Sequence, residues 1–300
     1  MARLGRIKLE GHDAYYHIMS RTVGQEFLLQ NNEKDKFVEM MFSLSRLFFI
    51  KIIGFSVMSN HFHILIKMES GESYSDEEIQ LRLKAYYKKD LVLSETEINE
   101  YREKLGDISD CIKLLKQKFS VWYNKANNRK GYFWSDRFKS ILIENGDSLL
   151  NCLAYIDLNS VRARIHEFPE EYKWSSIYYR ISNPQNNSLL SFDGICMNLD
   201  IDSLSKYKKY LYYAGDISGK RLDINRGLKE NNFFLIRRGV FKNKNNVFSD
   251  CMVMGSFDFI QNTYRIFGDT ILTKKKKKAY ITEISNKIYS VRRRYKQSAH

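Results

Sequence analysis

Two short patterns in this 300-residue chain carry side chains that could do chemistry together. The first is His61-Phe62-His63, inside the β-prone run HFHILIKM. On a strand, positions i and i+2 share a face, so both imidazoles project together and Phe62 turns the other way, into a core. Two imidazole nitrogens on one face can hold a divalent ion, with another protein ligand and water completing the geometry. The second pattern is Tyr155-Ile156-Asp157-Leu158-Asn159 in a helical run. Four positions apart, Tyr155 and Asn159 stand on one helix face, one turn above the other. A phenol is an apt nucleophile for a phosphodiester, although at a pKa of about 10 it needs a metal or a base. The aryl phosphate it forms is a good leaving group, so the break can be resealed by a 3′-hydroxyl without ATP. The Asn159 carboxamide oxygen is placed to complete an ion's coordination. Taken singly, each pattern also suits a plainer structure. His-x-His arises by chance on amphipathic strands, and a helix can pack a tyrosine in the core while exposing an asparagine.

The elements that must position these residues follow from periodicity. AYYHIMSRT (14–22) reads as a strand, and KDKFVEMMFSLSRLFF (34–49) repeats apolar residues at helical spacing. IKIIGFSVM (50–58) and HFHILIKM (61–68) read as strands joined by a hairpin-compatible Ser59-Asn60. An acidic stretch from 69 to 106 reads as helices or an ordered excursion. Residues 108–127 form a strong amphipathic helix, GYFWSDRFKSILIE (131–144) an aromatic turn leading into a strand, and 148–165 a helix with Asp147 or Ser148 as N-cap. Strand–helix–strand–strand–helix–strand–helix is the order of a small antiparallel sheet backed by helices. Asn183-Pro184-Gln185-Asn186-Asn187 is the clearest linker, so the expected division is residues 1–182 and residues 188–300. The second part reads as mainly helical, with segments at 202–215 and 258–269 and a strand or loop at 233–241.

Several of these blocks belong to one family pattern. AYYHIMSR (14–21), FSVMSNHFHILI (55–66), GYFWSDRFKSILIE (131–144), YIDLNSVRARI (155–165) and EEYKWSS (170–176) occur in the family's order. Over most of residues 10–180 the chain closely resembles the REP-associated tyrosine transposases, members of the HUH single-strand endonuclease group. The resemblance implies an α+β, ferredoxin-like (RRM-like) domain whose central strand carries the His-hydrophobe-His pair. It further implies that His61 and His63 are metal ligands, that Tyr155 is the nucleophile, and that Asn159 is the third ligand. Mg²⁺ or Mn²⁺ at those residues would polarise the scissile phosphate, and Tyr155 would form a 5′-phosphotyrosine link to single-stranded or hairpin DNA. A monomer is expected over a homodimer. Two departures stand out: Ser160 replaces a proline frequent after the asparagine, and the insertion at 69–106 lengthens a normally short connection.

Charge points to the same kind of partner. With 49 Lys+Arg against 35 Asp+Glu the chain carries +14, an excess suited to a polyanion. Residues 1–180 are nearly neutral, at +2, and residues 69–110 within them carry −6. Residues 181–300 carry +12, concentrated towards the end in Lys274, Lys275, Lys276, Lys277 and Lys278 and in Arg292–Arg294. A phosphate-binding arm and a solvated basic helix both suit that run. In the first part, Lys125, Arg129, Lys130, Arg137 and Lys139 surround Tyr132, Phe133 and Trp134. Basic residues interleaved with aromatics suit a flexible single strand, with Trp134 under a base, and equally a structural aromatic cluster with solvated lysines. Arg162 and Arg164, one to two turns after Tyr155, suit either a phosphate contact or a plain surface role, whereas His12, His17 and His166 fit no site pattern. The four cysteines are far apart with no CxxC pair, and no signal-peptide core or membrane-length apolar run is seen, so a nucleoid-associated protein of a reducing cytoplasm is expected. The alternative to an enzyme is a catalytically silent DNA- or RNA-binding protein that retains the fold.

Overall fold

The computed structural model describes residues 6–9, 11–182, 190–195, 204–215, 248, 251–271, 279–285 and 288–293. Strand β1 (Ala14–Arg21) lies between β3 (His61–Met68) and β4 (Lys139–Ile143), and β2 (Ile50–Val57) pairs with the outer side of β3, every pair antiparallel. This β2-β3-β1-β4 order, with α1 (Asn31–Leu47) linking β1 to β2, is the antiparallel sheet backed by helices expected from the element order, in the ferredoxin-like α+β arrangement that the resemblance implies. The β2–β3 connection falls at residues 58–60, where the Met58 N–H donates to the His61 carbonyl at 2.8 Å.

The period-2 pattern of the strands divides the interior in two. Tyr16, Ile18, Phe62, Ile64 and Ile66 face α1 and α4 (Ile108–Ala126) in one core. Met19, Ile53, Leu65, Ile141 and Ile143 face α5 (Asp147–Asp157) in the other. Phe62 is fully buried in the first core, so its neighbours His61 and His63 turn to the α5 side. The acidic insertion forms α2 (Asp76–Tyr87) and α3 (Glu95–Leu105). Each begins with a reciprocal capping box, Ser75 with Glu78 and Ser94 with Glu97, which satisfies otherwise orphaned N–H groups.

Past α6 (Asn159–Arg162) and α7 (Ser176–Ser182), the described part of the basic third holds α8 (Leu204–Gly215) and α9 (Phe257–Ile271), matching the two helical segments expected there. It also holds three strands that periodicity does not indicate: β5 (Cys251–Gly255), β6 (Ala279–Ser285) and β7 (Ile288–Arg293). Among the described residues these extend the sheet to seven strands, β5 joining β4 in parallel, so the basic third shares the sheet of the first part. A five-residue apolar run such as CMVMG is too short for its period to declare a strand; its partner β4 decides it. The 233–241 segment and the linker at 183–187 lie outside the described residues. Among the described residues no helix is long and apolar enough to cross a membrane.

Candidate active site

His61 opens β3, and its Nδ1 is 2.7 Å from the Asn60 Oδ1. The other ring nitrogen, Nε2, is thereby turned to α6, where it lies 3.3 Å from the Asn159 Nδ2. The helix carrying Tyr155 reaches this face because β2 offers no side chain at Gly54. A Cβ there would come within 2.2 Å of the Leu153 Cδ1. The N-cap of α5 is Gly146, at φ 77°, and neither Asp147 nor Ser148 fills that role. The single helix expected over 148–165 is broken at Leu158, where ψ is 6°, and α6 resumes at Asn159. Hydrogen bonds from the Leu158 N–H to Ala154 and from the Arg162 N–H to Leu158, both 2.9 Å, carry the turn across the break. Tyr155 and Asn159 therefore stay one turn apart on the sheet-facing side.

The side chains converge. The ring centroids of His61 and His63 are 5.2 Å apart, and those of His63 and Tyr155 5.8 Å. Half-buried Tyr155 is stacked on Phe248 at 4.4 Å, and the Arg162 Cζ lies 3.6 Å from its ring centroid. That guanidinium donates to the Tyr155 carbonyl at 2.6 Å and to the Asn159 Oδ1 at 3.0 Å. Beneath the helix, buried Asp157 accepts from the Ser176 hydroxyl at 2.5 Å and the Tyr207 hydroxyl at 2.6 Å, tying α5 to α7 and α8. Burial raises the Asp157 pKa, and the bonds from Ser176 and Tyr207 oppose that rise.

Two contributors to the site fit no sequence pattern. His17, on β1, stacks on His63 at 5.0 Å with its Nε2 2.8 Å from the His63 Nδ1. Phe248 comes from the basic third. No local signal marks either residue: His17 enters through the β1–β3 register, which pairs Met19 with His63, and Phe248 through long-range packing. Burial pulls the His61 pKa down to about 4, aided by Arg21 and Arg162. It pulls His17 to about 3, with Arg162 adding to the fall, and His63 well below its ordinary value. All three rings are therefore neutral near pH 7.

Neutral imidazole is the ligating form, so the donor set of His61, His63 and a carboxamide oxygen fits a divalent ion. Among the described residues no group of three or more His, Cys, Asp or Glu makes a metal site. A third protein ligand would then be the Asn159 oxygen, which in this arrangement accepts from Arg162.

The residues expected to touch DNA divide. Trp134 is buried and its Nε1 donates to the Lys116 carbonyl at 3.1 Å, its ring packed edge-on or tilted against Phe37, Phe62 and Phe119. It is a core residue and offers no face to a base; the exposed ring of that block is Tyr132, at 87%. Lys130, Arg137, Lys139 and Arg164 are exposed, while Arg129 and Arg162 are half-buried. Arg129 lies 5.9 Å from the Tyr123 ring. Lys274–Lys278 lie outside the described residues.

Comparison with known proteins bears on the first half of the site. Residues 11–95 match the family model described as Transposase IS200 like, a span that includes His61 and His63 and stops short of Tyr155. The resemblance to these transposases is thus shown over that segment. A solved structure described as a REP-associated tyrosine transposase bound to a REP hairpin shares 15% identity. The alignment covers 64% of this chain and 90% of that chain, at a TM-score of 0.43. No curated protein matches the chain.

Proposed function

We propose that this chain is a transposase-like, single-stranded DNA endonuclease and strand transferase, with Tyr155 as its nucleophile. The observation that carries the reading is the convergence of His61, His63, Tyr155 and Asn159 on one face of the sheet, although His61 and Asn159 are 98 residues apart in the chain. The IS200-like match over the histidine pair supports it. Hairpin DNA as the substrate follows from the resemblance of the sequence blocks.

In the reaction, the Tyr155 Oη forms a bond to the scissile phosphorus and the bond to the 3′-oxygen breaks. The phenol proton is lost and the leaving oxygen gains one, giving a 3′-OH and a 5′-phosphotyrosine. One phosphoester replaces another, so attack by a second 3′-OH reverses the step and joins strands. Bound at His61, His63 and Asn159, Mg²⁺ or Mn²⁺ would neutralise charge on the phosphate. Arg162 and Phe248 hold the Tyr155 ring from moving while Oη meets the phosphorus, which is the orientation such a displacement requires.

The test is a labelled hairpin oligonucleotide with Mn²⁺, resolved on a denaturing gel. Parent protein is expected to give a covalent adduct. Tyr155→Phe is expected to give none while binding DNA near normally, and His61→Ala is expected to lose cleavage. An undiminished adduct from Tyr155→Phe would overturn the nucleophile; DNA binding without any adduct from the parent would favour the catalytically silent protein.

A further inference from the structure

Arg21 ends β1 directly across from His61 in the β1–β3 register. Residues paired in this way share a face of the sheet, with Cβ atoms about 4.5–5.5 Å apart. The alternation along β1 agrees: Met19 faces α5, so Arg21, two residues on, lies on that side as well. The backbone here is fixed from both flanks. The Arg21 carbonyl accepts from the Ser135 N–H at 3.0 Å and from the Ser135 hydroxyl at 3.2 Å. The Thr22 N–H donates to the carbonyl of Asn60, the residue before His61, at 2.9 Å. The side chain itself is exposed, and among the described residues no carboxylate forms an ion pair with it.

The ordinary uses of an exposed strand arginine do not account for this one. Strand β1 lies between β3 and β4, so the charge does not guard a sheet edge. On β4 the same face carries Lys139, across from Met19, which is a second cation and no counter-charge. A guanidinium one strand away from a divalent ion at His61 and His63 is repelled by it. An anion between the two turns that repulsion into attraction on both sides, and the anion that the proposed reaction brings there is a phosphodiester. We propose that Arg21 is a catalytic residue of that reaction, its guanidinium donating to the non-bridging oxygens of the scissile phosphate. Its paired N–H donors match two phosphate oxygens. The contact strengthens as the Tyr155 Oη bonds to phosphorus and negative charge builds on those oxygens. Arg162 is engaged elsewhere: half-buried, it donates to the Tyr155 carbonyl and the Asn159 Oδ1.

This inference rests on the proposed cleavage reaction, and the experiment separates the two. The probe is a series of hairpin oligonucleotides, each with a neutral methylphosphonate at one linkage. They are bound without metal to Tyr155→Phe protein, so that neither cleavage nor the ion contributes. Neutralising the scissile linkage is expected to weaken binding about 10-fold, the size of a hydrogen bond to a charged group, and to change nothing once Arg21→Met is added. Equal sensitivity with and without Arg21, or dependence on Arg21 only at another linkage, overturns the assignment. In single-turnover assays with saturating DNA and Mn²⁺, Arg21→Met alone is expected to form adduct about 10–100-fold more slowly than parent. Arg21→Lys is expected to recover part of the rate through its charge; a parental rate from Arg21→Met overturns the role. Mn²⁺ binding without DNA, followed by electron paramagnetic resonance, guards against loss of the fold. With a repelling neighbour gone, Arg21→Met is expected to bind the ion at least as tightly as parent, and weaker binding overturns the phosphate contact by placing the effect on the metal ligands. A parent that binds the hairpin but yields no adduct, or that binds no Mn²⁺, would sink the cleavage reaction instead. The metal-free series would still decide the phosphate contact: a linkage whose charge matters only when Arg21 is present supports it, and the lack of any such linkage overturns it.

Discussion

Arg162 ties the proposed machinery together: its guanidinium covers the Tyr155 ring, caps the Tyr155 carbonyl and holds the Asn159 oxygen. A planar fork is needed for that geometry, which a lysine ammonium cannot reproduce. Arg162→Met is expected to slow covalent adduct formation by about 10–100-fold, the equivalent of one charge-assisted hydrogen bond or two. Arg162→Lys should recover little of it, as single-turnover assays with saturating oligonucleotide would show. The buried histidines make a second prediction. His17 has a pKa of about 3 in the fold against 6.5 for a free ring. Between those values the unfolded chain binds more protons, so stability is full above pH 6.5 and falls as the pH is lowered. At pH 5 the loss from His17 alone is on the order of 2 kcal/mol. The unfolding midpoint of metal-free parent should therefore drop further between pH 7 and pH 5 than that of His17→Gln, as thermal melts would measure.

At the scale of elements, the site depends on how closely α5 lies on the sheet. Gly54 sets that spacing from β2, where the pairing register with β3 also shifts. Gly54→Ala would force the Leu153 side chain off its seat and push α5 outward, carrying Tyr155 from His63. Overpacking of this kind costs about 1–3 kcal/mol. Chemical denaturation should show that loss, with adduct yield falling more steeply than DNA binding, because the phenol loses its line to the phosphate before the basic surface changes. The break at Leu158 has a complementary effect: α6 starts afresh at Asn159, so its carboxamide meets the His61 Nε2 while α5 keeps its own packing.

Across the whole molecule, the net charge and the residues proposed for chemistry are separated. Those residues lie in a part carrying a net +2, and residues 181–300 carry +12. Replacing Lys274–Lys278 with glutamine is expected to reduce the slope of log affinity against log salt by about 0.7 for each phosphate of a single strand that the run no longer neutralises. Cleavage at saturating DNA should stay at the parent level. Fluorescence anisotropy across a salt series checks it, and an unchanged slope would assign the run to the solvated surface. The two parts are not independent, however. Strand β5 hydrogen-bonds to β4, and Phe248 covers Tyr155, so the basic third also closes the proposed site.

By itself the sequence determined the local frame. Period-2 alternation in HFHILIKM places His61 and His63 together with Phe62 on the opposite face, and a four-residue spacing places Tyr155 over Asn159; both follow from backbone geometry that any strand or helix imposes. The order of strands and helices around a small antiparallel sheet was legible for the same reason, since those elements have strong periods, whereas the ferredoxin-like arrangement was implied by the resemblance of the sequence blocks. Only the tertiary structure decided the rest. The inclusion of His17 depends on strand register, the burial of Trp134 on aromatic neighbours from distant elements, and the joining of β5 to β4 on a parallel pairing of strands far apart in the chain. Pairings of that range leave no periodic trace in the chain, because each partner alone is an ordinary apolar or aromatic residue until packing gives it a neighbour.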